Sequence, residues 1–572
     1  MSELMDIRHE TIETPRLHLE GVRKQVMETG RPRIVIAAGL FLLGFLAVAG
    51  RMVELSLFKG EPPKAYAPVK SAQLKIGRGD IVDRNGVLLA TSLPVSSLAA
   101  NPREIQNPEE VTDKLIKVLP ELNRGEVLSK LSSDRAFVYL KRKLHPRQLS
   151  EVNRLGIPAL KFETGEQRFY PQGSLGGHAL GLVDVDSNGI AGVEKTFDAE
   201  LRSAKEPLRL SIDVRIQEVL KRELLRSIAE FRAVGGMGLV IDVKSGELLS
   251  MVSLPDYDPN TVSTATPEAM FNRVTLGAYE MGSTFKLFTA AAALDAGTAN
   301  LNTLYDARAP INISRFQIRD YHPLNRLLSV SEIMIHSSNI GAARMAVDMG
   351  TERQKNFLGK LGMLRPASIE VPEVGTPLYP THWREINTMT VAYGHGLSVS
   401  PLQMANGVAS LINGGFFNNP TVLRQEDGLT PEGVRVISAK TSAQMRYLMR
   451  LIVESGTGSK AEVDGYLVGG KTGTAEKTGI GGYAKKTLLS SFIGAFPIND
   501  PRYVILAMID EPHGNKESAG YATGGWVAAP VVSRVVSQIG PMLGMQPMPK
   551  TGEEIKSLLV KASMVERKSA AR

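Results

Sequence analysis

The sequence predicts an α+β protein of several domains: a single N-terminal transmembrane helix, a strand-rich domain, and a larger domain in which helices are inserted between antiparallel strands. Three observations carry this. Residues 34–50 are 17 consecutive uncharged, mostly apolar residues. Residues 78–90 and 238–253 each read as strand, turn, strand. Beyond them the apolar spacing becomes helical after Ser283 and from about 329 to 412, then returns to strands around Lys471 and from 488 to 509.

Taken in order, the apolar run spans roughly 25 Å at about 1.5 Å per residue, close to a hydrocarbon core, and Met52, Val53 and Leu55 extend it. Arg16, Arg23, Lys24, Arg31 and Arg33 precede it, so the positive-inside rule keeps residues 1–33 in the cytoplasm and makes 34–55 the anchor. Ala47-Val48-Ala49 fits a signal-peptide cleavage site, but the charged leader is long for a secretory signal, which favours an uncleaved anchor. Pro62, Pro63 and Pro68 mark a stiff linker, and Asn85-Gly86 is a hairpin turn. Residues 103–155 read as helical and charged, and 167–194 as strands and turns. This first domain, 56–232, contains no complete catalytic constellation, so its arginines and Glu194 are read as structural. A helix over 215–231 leads into the second domain, 233–545, and a polar, basic tail, 546–572, is expected to be flexible.

The formal charge of +8 is spread along the chain with no nucleic-acid motif beside it, so a membrane surface and an anionic wall polymer are the fitting neighbours. With no cysteine there is no disulfide, thiolate metal site or cysteine nucleophile. The nine histidines form no H-E-x-x-H pattern, and His178 and His395, in Gly-rich stretches, are read as structural hydrogen-bonding groups. No metal and no cofactor is expected.

Chemistry enters with three short motifs in order: Ser283-Thr284-Phe285-Lys286, Ser337-Ser338-Asn339 and Lys471-Thr472-Gly473-Thr474. Together they supply a nucleophilic serine, a lysine base, a second hydroxyl to relay a proton and a cationic strand for a substrate carboxylate. Ser283 opens an apolar run that reads as a buried helix, and Lys286, three residues on, lies on the same face; burial disfavours its charged form. Each motif alone is weak, because Ser56-Leu57-Phe58-Lys59 repeats the first pattern and Lys477 and Lys550 each begin another Lys-Thr-Gly. Context sets these copies aside: Ser56 flanks the membrane segment, Lys477 falls in the turn between two strands, and Lys550 lies in the tail.

With these residues in place the chain resembles the class B penicillin-binding proteins, most closely the division-specific FtsI type, from the anchor to about residue 540. The first domain resembles the family's pedestal, or dimerisation, domain at Arg78-Gly79, Asp83-Arg84-Asn85-Gly86, Arg168, Tyr170-Pro171, Gly189, Gly192 and Glu194. The second resembles its serine acyltransferase, β-lactamase-like transpeptidase domain at Asp258-Pro259-Asn260, the three motifs, and Tyr393-Gly394-His395-Gly396 with Pro401-Leu402-Gln403. Two departures stand out: Met281, where many relatives carry proline, and a short linker over 201–208.

The resemblance implies a D,D-transpeptidase cross-linking peptidoglycan stem peptides that end in D-Ala-D-Ala, inhibited by β-lactams. Ser283 would be the nucleophile and Lys286 its base; Ser337 and Lys471 would pass a proton to the leaving amine. Asn339 would bind the peptide amide, and Lys471, Thr472, Gly473 and Thr474 the substrate carboxylate. The backbone N–H groups of Ser283 and Thr474 would form the oxyanion hole. It further implies a bacterial inner-membrane location with the catalytic domain in the periplasm, and an FtsW-type glycosyltransferase and other division proteins as partners. An elongation-specific transpeptidase, a carboxypeptidase or β-lactamase, and a catalytically silent β-lactam-binding scaffold or sensor are the alternatives. The continuation Asn339-Ile340-Gly341, the large non-catalytic domain and the intact motifs weigh against them.

Overall fold

In a computed structural model the described residues are 21–57, 77–204, 206–313, 316–426, 431–479, 482–548 and 557. The proline linker at 62–68, the first 20 residues of the tail at 1–33, and Lys550 with nearly all of the C-terminal tail lie outside them. The chain divides into two units, Met1–Lys75 and Ile76–Arg572.

The first unit contributes one helix, Gly21–Leu57, within which Val35–Val53 has a mean hydropathy of 2.1 and is long and apolar enough to cross a membrane. Its apolar side chains are exposed all round, Phe41 and Phe45 at 72 % each, as expected of a helix whose solvent is lipid rather than protein.

The second unit opens with the expected hairpin, Ile81–Val82 against Leu88–Ala100. Its turn is held by Asp83, whose Oδ1 accepts from the Asn85 and Val87 N–H groups at 2.8 Å each. Leu88–Ala100 then pairs antiparallel with both Val138–Leu144 and Leu160–Phe169. The strand Val138–Leu144 corrects the helical reading of 103–155. Its Lys141-Arg142-Lys143 looked helical, but burial alternates, Val138 and Leu140 inside and Tyr139 outside, which is a strand's period of two. Helices Pro108–Val118, Arg124–Leu131 and Pro146–Asn153 do form and close a small core with Leu98, Leu115 and Leu131. Residues 167–194 include three short helical turns besides strands, so that reading was only partly right.

Glu194 is buried between two arginines. Arg78 Nε and Arg168 Nε each donate to its carboxylate, the latter at 2.6 Å, and Arg168 also reaches the Gly79 carbonyl at 2.8 Å. The residues read as structural thus form one buried ionic cluster. The hairpin turn joins the rest of the unit through Arg84 to Glu247 at 3.2 Å and Asn85 to Asp213 at 3.0 Å. Gly192 N–H meets Glu373 at 3.2 Å.

The catalytic part is a five-stranded antiparallel sheet in the order Gly469–Gly479, Gly482–Phe496, Tyr503–Asp510, Gly235–Asp242, Leu248–Leu254. Every residue of Tyr503–Asp510 is buried, because helices cover both faces. Val504, Leu506 and Met508 pack towards helices Lys286–Asp295, Pro401–Ile412 and Ala439–Ser455, while Ile505, Ala507 and Ile509 pack towards Val214–Glu230 and Ala529–Met542. The expected helix over 215–231 is therefore one of the outer pair. The strand bearing Lys471 is an edge strand, and the Ser283 turn lies beside it.

Candidate active site

Ser283 sits in a single 3-10 turn, Gly282–Phe285, which runs into the helix Lys286–Asp295. The serine therefore precedes the helix proper, but residues three apart eclipse in such a turn, so the expected juxtaposition with Lys286 holds. Gly282 has φ +55°, and a Cβ there would stand 2.7 Å from the Thr474 carbonyl oxygen. Only glycine lets the turn lie this close to the edge strand. Because that carbonyl points outward at Gly282, the Thr474 N–H is directed to the same open side, as in any antiparallel strand. Gly473 is under the same constraint: its Cβ would meet the Met281 carbonyl at 2.8 Å.

Behind the turn lies the stretch Tyr393-Gly394-His395-Gly396. Gly282 N–H donates to the Gly394 carbonyl at 3.2 Å, and Gly396 N–H to Glu280 Oε1 at 2.8 Å. His395 is half-buried there, and burial pulls its pKa down. His178 bonds the Ala269 carbonyl at 2.8 Å.

Lys286 is 1 % exposed and its Nζ has four oxygens around it: Ser283 Oγ at 2.9 Å, Ser337 O at 2.7 Å, Ser337 Oγ at 3.0 Å and Asn339 Oδ1 at 2.7 Å. Burial, and then the charge of Lys471, push its pKa well below the usual lysine range, against the opposing pull of Asp320. A neutral amine has two hydrogens and one lone pair. The hydrogens go to the two groups that can only accept, Ser337 O and Asn339 Oδ1, which leaves the lone pair for a hydroxyl such as that of Ser283.

Ser337 ends the helix Val330–His336 in the left-handed region, φ 60° and ψ 45°. For a residue with a Cβ this costs about 1–2 kcal/mol, and it aims both the carbonyl and the hydroxyl at Lys286. On the far side of Ser337 Oγ stands Lys471, whose Nζ is 3.0 Å from that hydroxyl and 3.0 Å from the Thr472 carbonyl. Lys471 is wholly buried, and burial brings its pKa down to about 7. Ser283, Lys286, Ser337 and Lys471 are thus one hydrogen-bonded row.

Asn339 joins that row through Lys286 alone: its Nδ2 donates to the Arg319 carbonyl at 2.9 Å. Thr472 Oγ1 pairs with Thr457 Oγ1 at 2.8 Å, and Thr474 Oγ1 accepts from Gly524 N–H at 3.1 Å. Lys477 lies in the strand Gly469–Gly479, not in the turn, and pairs with Asp510 and Glu511 at 2.9 and 2.7 Å. Ser56 is in the N-terminal helix. Asp320, Thr457 and Gly524 were missed by sequence reasoning: they stand outside the motifs, and only the fold brings them to the strand or to Asn339.

Residues 236–537 match the penicillin binding protein transpeptidase domain family. The chain belongs to the penicillin-binding protein transpeptidases. In this family it is of the class B, FtsI type, with residues 74–224 matching the penicillin-binding protein dimerisation domain. This transpeptidase is 41% identical over 532 residues to the probable peptidoglycan D,D-transpeptidase FtsI of Caulobacter vibrioides, covering 90% of this chain and 89% of the relative. It is 31% identical over 578 residues to the probable peptidoglycan D,D-transpeptidase PenA of Neisseria meningitidis serogroup A, covering 94% and 97%. Among solved structures, penicillin binding protein 3 of Mycobacterium tuberculosis complexed with aztreonam shares the fold, with a TM-score of 0.65 at 22% identity over 83% of this transpeptidase and 98% of that chain.

Proposed function

We propose that the protein cross-links peptidoglycan stem peptides at the division septum as a serine D,D-transpeptidase that β-lactams acylate. The observation that carries this is the row from Ser283 through Lys286 and Ser337 to Lys471. Ser283 Oγ gives its proton to Lys286 Nζ and attacks the carbonyl between two terminal D-alanines. The backbone N–H groups of Ser283 and Thr474 hold the oxyanion, each worth a few kcal/mol of barrier. The C–N bond then breaks, D-alanine leaves with a proton delivered through Ser337 and Lys471, and the donor stays as an ester on Ser283. The amine of a second stem peptide takes the acyl group and restores the serine.

Asn339 orients the peptide amide. Lys471 is turned inward to Ser337, so it draws the substrate carboxylate by charge, while Thr472 and Thr474 offer hydroxyls and Gly473 lets the backbones approach. Residues 34–55 would anchor the chain in the inner membrane with residues 1–33 inside and the pedestal, 56–232, and catalytic domain, 233–545, in the periplasm. An FtsW-type glycosyltransferase and other division proteins are the partners this placement suits.

The test is intact mass of the full chain in detergent after exposure to a β-lactam, for wild type and Ser283→Ala. A stable adduct in wild type alone is expected. Hydrolysed drug without an adduct would instead mean a hydrolase, and an adduct in Ser283→Ala would overturn the nucleophile.

A further inference from the structure

Thr472 and Thr474 are backed by a wall built from two distant stretches of chain. Thr457 Oγ1 bonds Thr472 Oγ1 at 2.8 Å, and Gly524 N–H donates to Thr474 Oγ1 at 3.1 Å. Gly525 is wedged beside the first pair: a Cβ there would lie 2.7 Å from the Thr457 carbonyl oxygen and 3.6 Å from Thr472 Cγ2. Shortly after Thr457 comes Lys460, in the 3-10 turn Ser459–Ala461, and directly after Gly525 comes Trp526. Their side chains meet. Lys460 Nζ stands 3.9 Å from the centre of the Trp526 ring, and that ring is inclined by only 8° to Tyr521, with centroids 6.3 Å apart.

A long exposed lysine ordinarily sweeps its charge through solvent, but one docked on an indole is held in place by the negative face of the ring. Lys460 is exposed and makes no ion pair among the described residues; Glu462, the nearest acid in sequence, is taken by Arg450 at 2.8 Å. Its charge therefore stands unneutralised beside the threonines. Lys471, the other cation of the cleft, serves a carboxylate only in part. It is wholly buried and its Nζ is committed to Ser337 Oγ and the Thr472 carbonyl. With a pKa of about 7 it is also neutral in about half the molecules at neutral pH.

We propose that Lys460, held on Trp526, is a specificity-determining residue of the donor site: a fixed surface cation that steers the terminal carboxylate of a stem peptide, or the matching carboxylate of a penicillin, onto Thr472 and Thr474. The inference rests on the reading of those threonines as the receivers of the carboxylate. No hydrogen bond joins Lys460 to Ser283, Lys286, Ser337 or Lys471, so it acts on capture and not on the chemical step. A cation at the rim of a cleft raises the local concentration of an anionic ligand, and because this amine is exposed, salt screens its effect.

The test is acylation of the full chain in detergent by a penicillin and by its neutral carboxamide, for wild type, Lys460→Gln, Lys460→Arg and Trp526→Leu. Rates are followed over drug concentration at low and at high salt, with circular dichroism melts as a fold control. With the penicillin at low salt, Lys460→Gln should raise the half-saturating concentration about tenfold and leave the saturating rate unchanged. High salt should close most of that gap, and the carboxamide should not separate the two proteins. Lys460→Arg keeps both the charge and the stacking and should match wild type. Trp526→Leu frees the amine without removing it and should lie between. An unmoved half-saturating concentration in Lys460→Gln overturns the inference, as does an equal loss with the carboxamide or a loss confined to the saturating rate. The Lys460 variants alter an exposed side chain and remain decisive if Trp526→Leu does not fold. A wild type and a Lys460→Gln that prefer the penicillin to the carboxamide equally would leave the carboxylate reading standing and strike Lys460 alone. A wild type that is not acylated would strike the reading of Ser283 instead.

Discussion

Lys471 Nζ donates to Ser337 Oγ at 3.0 Å, a bond between residues 134 positions apart that places a wholly buried ammonium group beside a second buried lysine. Its pKa is about 7 in the fold and near the ordinary lysine value, 10.5, in the unfolded chain. Between those values the unfolded chain holds a proton that the fold has released, so stability rises with pH across that window; at and below about 7 the burial penalty is complete. Lys471→Met lacks the penalty. Its stability relative to wild type should be most favourable at or below pH 7, by an amount on the order of a few kcal/mol at about 1.36 kcal/mol per pKa unit, and should decline towards pH 10. Calorimetric melts across pH check this, and an advantage that grew with pH would exclude burial as the cause.

The left-handed backbone of Ser337 separates two substitutions that are chemically alike. Ser337→Gly and Ser337→Ala both delete the hydroxyl shared by the two lysines, but only glycine adopts φ 60° without strain. The glycine variant should unfold at higher urea than the alanine variant, by about 1 kcal/mol, while both lose peptide turnover equally. Equal stabilities would mean that the backbone relaxes once the hydroxyl is gone.

Gly394 offers a test of the support behind the Ser283 turn. It has φ +85°, and a Cβ there would lie 2.1 Å from the Gly282 carbonyl oxygen, backbone against backbone. Gly394→Ala should destabilise by roughly 2–4 kcal/mol and cut β-lactam acylation about a hundredfold. Gly297 is the control: its φ is +69° but nothing lies within 4 Å of its Cβ position, so Gly297→Ala should cost only strain and leave acylation intact. Parallel losses in both variants would point to general destabilisation.

In the pedestal, Glu194→Ala would leave Arg78 and Arg168 buried without their shared carboxylate. A destabilisation of about 3–5 kcal/mol is expected, read as a lower melting temperature, with acylation in the cold unchanged. An unaltered melt would show that the two arginines find solvent or other acceptors.

What the sequence made legible was local. Asn85-Gly86 marked a hairpin because a positive φ is needed there, and the three-residue spacing of Ser283 and Lys286 survives whether the turn is α or 3-10. What it concealed depended on partners distant in the chain. Lys141, Arg142 and Lys143 looked helical until the strand Leu88–Ala100 claimed them. Lys477 looked like a turn residue because the two carboxylates that hold it, Asp510 and Glu511, lie at the end of a strand two places across the sheet. Asp320 had no periodicity or motif around it, and only the fold brings its carboxylate to the Ser338 hydroxyl and to the N–H groups of Asn339 and Ile340.

The order of the catalytic sheet also bears on synthesis. The strands made first, Gly235–Asp242 and Leu248–Leu254, are joined to the Lys471 strand only through Gly482–Phe496 and Tyr503–Asp510, which are made last. A growing chain that already carries Ser283, Ser337 and Lys471 therefore cannot close the sheet or bury its lysine pair until residue 510 has been added. Reactivity towards β-lactams should thus emerge as a late, all-or-none event of synthesis, and a chain cut short before that last strand would carry every motif and no working site.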